Sequence, residues 1–298
     1  MNRSSQTRVW VLIAVLVAGL VVAQQFWRWE VERIEVGPGQ YLVKIRDVRG
    51  TEGPDHKYTM KIRPSRPDFR VTLEGPKAPI APGGSQEFKV SAKRIDGFDG
   101  PIRVEIDGLP PGFSATTPLV IEAGQINALG VLAARAGAAA PTPEQSAGSR
   151  VRASATISGR VLSHPVNPLG TIKLAEKPAP LVQIRPAEDG PRPVVDAEGA
   201  PPEYEIHPGK TITLKVKVQR NGHVGPVALG IEGSGRNLPF GVIVDNLGLN
   251  GLLITEDQNE RTFFVTADRS VQPQTRPFHL TTTVAGGQSS HPVILHVR

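Results

Sequence analysis

The sequence predicts an all-β fold over most of its length, two tandem sandwiches following one N-terminal apolar helix. Three observations predict it. A motif beginning Ala81-Pro82-Gly83-Gly84-Ser85 returns as His207-Pro208-Gly209-Lys210-Thr211. Apolar residues alternate with polar ones after each copy, and the 31 glycines and 28 prolines with few aromatics suit short strands joined by turns. Helical periodicity is not sustained after residue 29.

Residues 1–8 form a basic tail with Arg3 and Arg8 and no acid, and Val9–Ala23 is an unbroken apolar run. A spanning helix needs about 20 residues and a signal-peptide core uses roughly 7–15. Val21, Val22 and Ala23 form a small-residue cleavage site before Gln24, which points to a removed signal. Trp10, Phe26, Trp27 and Trp29 point instead to a retained anchor over 9–29, because aromatic rings favour the two bilayer interfaces. In either case the arginines stay cytoplasmic and the remainder is exported. Trp10, Trp27 and Trp29 are the candidate anchor residues, with membrane lipid as their partner.

Residues 30–67 read as a β-rich stalk, with strands at Trp29–Val36, Gln40–Val48 and Lys57–Ile62. Residues 68–176 read as the first sandwich. Phe88, Val90 and Ala92 alternate with Glu87, Lys89 and Ser91; the turn Asp96-Gly97-Phe98-Asp99-Gly100-Pro101 then leads to Ile102, Val104 and Ile106. Period two with one polar face is the mark of a half-buried strand, and Asp-Gly is a strong hairpin signal. Gly137 to Gly148 reads as a flexible loop. Residues 177–202 read as a proline-rich linker containing an opening strand, Leu181 to Ile184.

Residues 203–298 repeat the plan. Ile212, Leu214, Val216 and Val218 alternate with polar residues, Asn221-Gly222 takes the place of Asp96-Gly97, and Leu238-Pro239-Phe240-Gly241 that of Leu109-Pro110-Pro111-Gly112. Val151–Ile157 matches Phe278–Val284, and the strand around Ile172 to Leu174 matches Val293–Val297. About seven short strands per copy describe an immunoglobulin-like or fibronectin-like sandwich.

Pro67-Asp68-Phe69-Arg70, Ile95 to Pro101 and Gly108-Leu109-Pro110-Pro111-Gly112, with Leu247 to Thr255 in the second copy, resemble the tandem Ig-like repeat modules of large bacterial exported and envelope proteins, over about residues 57–298. That resemblance implies a binding or spacing module and no known chemistry. A weaker one covers 9–46: the apolar segment followed by Val31-Glu32-Arg33-Ile34-Glu35-Val36-Gly37-Pro38-Gly39-Gln40-Tyr41 looks like the entry into prohibitin or stomatin-type membrane proteins.

Composition and motifs exclude more than they assign. The net charge of +6 is concentrated at the start: basic and acidic residues number 11 and 6 over 1–67, 11 and 10 over 68–176, and 12 and 12 over 177–298. Near-neutral sandwiches argue against nucleic acid as a partner. With no cysteine there are no disulfides and no thiolate chemistry. Asp96 and Asp99, three apart in a glycine-rich loop, are weak candidates for calcium, but the second copy keeps the glycines and carries Asn221 and Val224 there, so the turn is the simpler role. The seven histidines read as surface or turn residues. No G-x-S-x-G elbow or P-loop is present, Gly233-Ser234-Gly235 reads as a loop, and Glu105 with Asp107 share the solvent face of one strand. No catalytic residue and no cofactor is assigned. Tyr204 is the single tyrosine after Asp68 and no tryptophan follows Trp29, which disfavours glycan binding. The pattern points to a non-catalytic, membrane-anchored envelope protein whose modules act as spacers or bind other envelope proteins. The alternatives are an accessory module of an exported enzyme acting in trans and a prohibitin-like membrane scaffold.

Overall fold

The computed structural model describes residues 61–177, 179–196, 200–245, 247 and 251–298, together with 20–21, 29–37, 40–47, 53 and 59. The chain divides into two compact units, 1–69 with 94–98, and 70–93 with 99–298.

In the first unit Leu20–Val21 (β1), Trp29–Gly37 (β2), Gln40–Asp47 (β3) and Lys61–Ile62 (β4) are strands. β2 and β3 form an antiparallel hairpin from Trp29↔Asp47 to Gly37↔Gln40, and β1 pairs with β4. β2 and β3 fall where alternating Val, Ile and charged residues placed them. Of the expected 9–29 helix, only Leu20, Val21 and Trp29 lie within the described residues, and all three are in strands, where a continuous helix was expected. Trp10, Trp27 and the site after Ala23 lie outside them. Among the described residues, no helix is long and apolar enough to cross a membrane.

The first sandwich is built from Asp68–Glu74 (β5), Ser85–Ile95 (β6), Ile102–Asp107 (β7), Phe113–Ala115 (β8), Leu119–Ile121 (β9), Asn127–Ala134 (β10), Arg150–Ile157 (β11) and Arg160–Val166 (β12). One sheet joins β5, β6, β10 and β8, and the other runs β12-β11-β7-β9. Alternation decides which residues enter the core: in β7, Ile102, Val104 and Ile106 are buried while Arg103 and Asp107 face solvent. The flexible-loop reading of Gly137 to Gly148 is corrected. Pro143–Ala147 forms a short helix, α1, because Thr142 and Gln145 close a reciprocal capping box and Pro143 is preset for the first turn.

The second sandwich comprises Leu181–Pro186 (β13), Glu203–Ile206 (β14), Thr211–Gln219 (β15), Val227–Gly230 (β16), Val242–Asp245 (β17), Leu252–Ile254 (β18), Glu260–Ala267 (β19), Gln274–Phe278 (β20), Gln288–Ser289 (β21) and Val293–Val297 (β22). Its sheets run β13-β15-β19-β17, β14-β22-β20 and β16-β18. The opening strand read within residues 177–202 is β13, two residues longer than Leu181 to Ile184. β13 pairs with β15 from Leu181↔Gln219 to Pro186↔Leu214, and Val195 bridges Glu203.

The repeat extends to individual hydrogen bonds. Asp96-Gly97 and Asn221-Gly222 both have positive φ (50° and 78°, 48° and 88°), as in a type I′ turn, but the hairpin expected there does not form: β6 and β7, like β15 and β16, lie in different sheets, and each turn carries the chain from one to the other. They close with Phe98 N–H on the Ile95 carbonyl (3.1 Å) and His223 N–H on the Arg220 carbonyl (2.9 Å). At the two Leu-Pro-x-Gly corners, Phe113 N–H donates to the Pro110 carbonyl (3.1 Å) and Val242 N–H to the Pro239 carbonyl (2.9 Å). Ile80 bridges Leu174 in parallel, as β14 pairs β22 in parallel. The copies diverge in one place. Val151–Ile157 is one regular strand, whereas in the matching stretch the regular strand ends at Phe278 and residues 279–284 continue through isolated bridges and single hydrogen bonds.

Candidate functional site: a charged, buried junction between the sandwiches

The divergent stretch leads to a cluster of polar side chains shared by the two sandwiches. After residue 279 the chain turns through Ala285, Gly286 and Gly287, all at positive φ (49°, 74° and 85°), and returns as β21. β21 pairs with the other sandwich: Gln288↔Gln86 and Ser289↔Ser85, on the free start of β6. One sandwich thereby adds a strand to a sheet of its neighbour.

Buried polar side chains secure the addition. Ser85 Oγ donates toward the carbonyls of Ser289 (2.8 Å) and Ser290 (2.9 Å). Gln288 Nε2 donates to the Pro79 carbonyl (3.1 Å), and its Oε1 accepts from Ala81 N–H (3.2 Å). Each matches a backbone group that burial would otherwise leave unpaired.

Beside this strand lies an ionic set. Glu87, on β6, accepts two hydrogen bonds from the Arg236 guanidinium, both 2.7 Å, in the two-point geometry that arginine favours. His279 Nε2 stands 3.0 Å from the same carboxylate, with only 1% of its side chain exposed. A carboxylate can only accept, so Nε2 carries the proton. Burial raises the Glu87 carboxyl, but hydrogen bonds from Arg236 and His279, and then their charges, outweigh it and take it down to about 2. Burial lowers His279 more than Glu87 raises it, so the ring is neutral near pH 7. A second contact runs in parallel: Arg276 pairs with Glu122 at 2.8 Å, and Asn237 Oδ1 accepts from Arg276 Nη2 (2.7 Å) and from Leu129 N–H (3.2 Å). Glu87, Glu122 and Leu129 belong to the first sandwich; Arg236, Asn237, Arg276 and His279 belong to the second.

The sequence reading missed these residues. Glu87 was placed on a polar strand face, which is correct locally, but that face is covered by the neighbouring copy. His279 corrects the surface-histidine reading. The available signals were a histidine flanked by Phe278 and Leu280 in an alternating stretch, and the polar run Gln288-Ser289-Ser290 where apolar alternation was due.

The earlier candidates do not join this cluster. Asp96 accepts from the Arg63 guanidinium (Nη2 at 3.0 Å) and from Arg66 N–H (2.8 Å), and the Arg63 hydrogen bond, followed by that of Arg66, holds its carboxyl below the usual range. The Asp99 carbonyl accepts from Gly124 N–H at 3.1 Å. Among the described residues, no three His, Asp or Glu side chains gather as a metal site would require. Trp29 opens β2. Tyr204 is buried in the second core, where burial raises its hydroxyl pKa. Gly233-Ser234-Gly235, read as a loop, overlaps a 3-10 turn at Glu232–Ser234.

No family model and no curated protein matches the chain. Among solved structures, it is similar to the D0-D1 domain of intimin (11% identity, 76% of this chain and 97% of that one, TM-score 0.26). Domains 5-6 of the S-layer protein SbsC match at 13% identity over 78% and 98%, TM-score 0.24. The fibronectin(III)-like modules of Clostridium thermocellum CbhA match at 14% over 76% and 93%, TM-score 0.20. Likeness at these scores carries no argument here, and the sandwich assignment rests on the strand pairing above.

Proposed function

We propose that this chain is a non-catalytic, membrane-attached envelope protein in which two fused sandwiches hold a fixed spacing and offer surfaces to other envelope proteins. The observation that carries this reading is the β21 strand on β6, locked by Glu87, Arg236 and His279. Two modules meant to move independently need only a linker. Opening the shared sheet edge would give up the β21–β6 pairing together with the hydrogen bonds of Ser85 and Gln288 across it, so the junction resists separation. Membrane attachment is supported by the apolar run Val9–Ala23 behind Arg3 and Arg8, and an extracytoplasmic position by the same charge asymmetry.

The chain has no cysteine, so spin labels can be placed at will. Val161 and Val224, at 76% and 88% exposure on the first and second sandwich, suit a doubly labelled full-length Val161→Cys/Val224→Cys protein. Pulsed dipolar spectroscopy is expected to return one narrow distance distribution that broadens when Glu87→Ala is added. A broad distribution in the unmodified background would refute fixed spacing. Mass spectrometry of the membrane-fraction protein tests attachment: peptides spanning Val9–Ala23 support it, and a chain beginning at Gln24 removes it.

A further inference from the structure

A groove of about 710 Å³ runs along Thr171–Ala175, walled by Pro79, Pro141, Pro143 and Ser146, with Ala285 and Gln288 contributed by the second sandwich. Its floor is a segment outside the regular strands that bridges Ile80 in parallel at Leu174 and is open on its other edge. Ile80 N–H donates to the Lys173 carbonyl and Ala175 N–H to the Ile80 carbonyl, both at 2.8 Å. Backbone groups of alternate strand residues point to opposite edges, so those of Ile172 and Leu174 face away from Ile80. Among the described residues, no backbone hydrogen bond reaches them.

A strand would be expected there. β11 pairs with β12 from Ile157↔Arg160 to Val151↔Val166, and continuing that register brings residues near 143–145 opposite 172–174. The capping box and Pro143 coil that stretch into α1 instead, leaving the edge of Ile172 and Leu174 open. Ser146, only 3% exposed, lines the groove, and its Oγ has no hydrogen-bond partner.

We propose that this groove takes an extended peptide segment of another protein, added as a strand along Ile172–Ala175. Three features select that occupant. Open backbone donors and acceptors are satisfied in series only by another backbone. The groove follows Thr171 to Ala175, a length that about five residues of extended peptide, at roughly 3.3 Å each, would cover. The walls are proline and alanine, which suits alternating apolar side chains, while Lys173 and Lys177 outnumber Glu176 along the rim and favour an acidic flank. This deepens the interaction-surface part of the function proposed above and leaves the fixed-spacing part untouched, so each can fail without the other.

The test uses the full-length protein and a fluorescein-labelled, end-capped peptide Glu-Thr-Val-Thr-Val-Thr-Glu, read by fluorescence anisotropy. Saturable binding is expected, weakened about tenfold or more by N-methylation of both valine amides, which removes the ladder donors and leaves the side chains. Ala140→Trp, at an exposed lining position, is expected to weaken it similarly with unchanged thermal stability. No binding up to about 1 mM, or equal affinity for the N-methylated peptide, would overturn the proposal. So would displacement of the peptide by a fluorescent fatty acid, or self-association that Ala140→Trp abolishes; these outcomes would reassign the groove to lipid or to a second copy.

Discussion

Each sandwich turns back on itself late in the chain, after Val151–Ile157 in the first copy and after the matching residues 278–284 in the second, and the two returns have opposite fates. In the first, β11 and β12 are joined through Ser158 and Gly159 and stay paired over seven residues, with β12 at the edge and Val161 and Leu162 exposed. In the second, Thr281 bridges Ser289 and the returning strand leaves to pair with β6. The freely exposed hairpin carries valine and leucine on its edge strand, while the docked one carries Gln288, Ser289 and Ser290, all buried. A strand donated to another sheet edge must satisfy backbone groups as well as fill space, and short amide and hydroxyl side chains do both.

Substitutions that strike one hairpin and spare the other break this comparison. Glu87→Ala removes the hydrogen-bond acceptor of the half-buried Arg236 guanidinium and of the buried His279 Nε2–H. Each group left without its acceptor costs about 1–3 kcal/mol, and chemical denaturation should change from one transition to two as the sandwiches uncouple. Gly286→Ala comes next. Its φ of +74° strains any Cβ, and that Cβ would lie 2.8 Å from the Ala78 Cβ of the other sandwich, so a loss of about 2–4 kcal/mol is expected by thermal unfolding.

Acid should act on the junction in the same direction through two groups. The Glu87 carboxyl is depressed on folding, from 4.5 to about 2, so its stabilisation is full above 4.5 and is lost as pH falls toward 2. His279 is also depressed: below its ordinary 6.5 the unfolded chain takes up a proton that the buried ring resists, so stability starts to fall there. Between pH 7 and pH 3 the Glu87 part alone should lower stability by about 2 kcal/mol, with the His279 loss added to it, and the drop in denaturant midpoint should be clearly smaller in Glu87→Gln.

The matched control for Gly286 is Gly159→Ala. Its φ is nearly the same, +77°, but nothing lies within 4 Å of the added Cβ, so only the backbone term of about 1 kcal/mol remains. Smallest of all, Val161→Lys on the exposed edge should shift stability by no more than about 0.5 kcal/mol. Equal losses for Gly159→Ala and Gly286→Ala would remove the claim that docking distinguishes the two hairpins.

Sequence patterning by itself determined the strand plan. The period-two alternation of β6 and β15, the Asp-Gly and Asn-Gly turns and the two Leu-Pro-x-Gly corners are local signals, because each depends on a residue's own backbone preference and on which face meets a core. The capping box at Thr142 and Gln145 was equally local and readable, and was overlooked. Only the tertiary structure decided that the polar face of Glu87 would be covered by the second copy, that His279 would be buried, and that Gln288 and Ser289 would complete a foreign sheet edge. Those facts depend on residues about 150 to 200 positions apart in sequence. A polar residue facing water and one facing a distant partner look alike until the chain brings the two surfaces together.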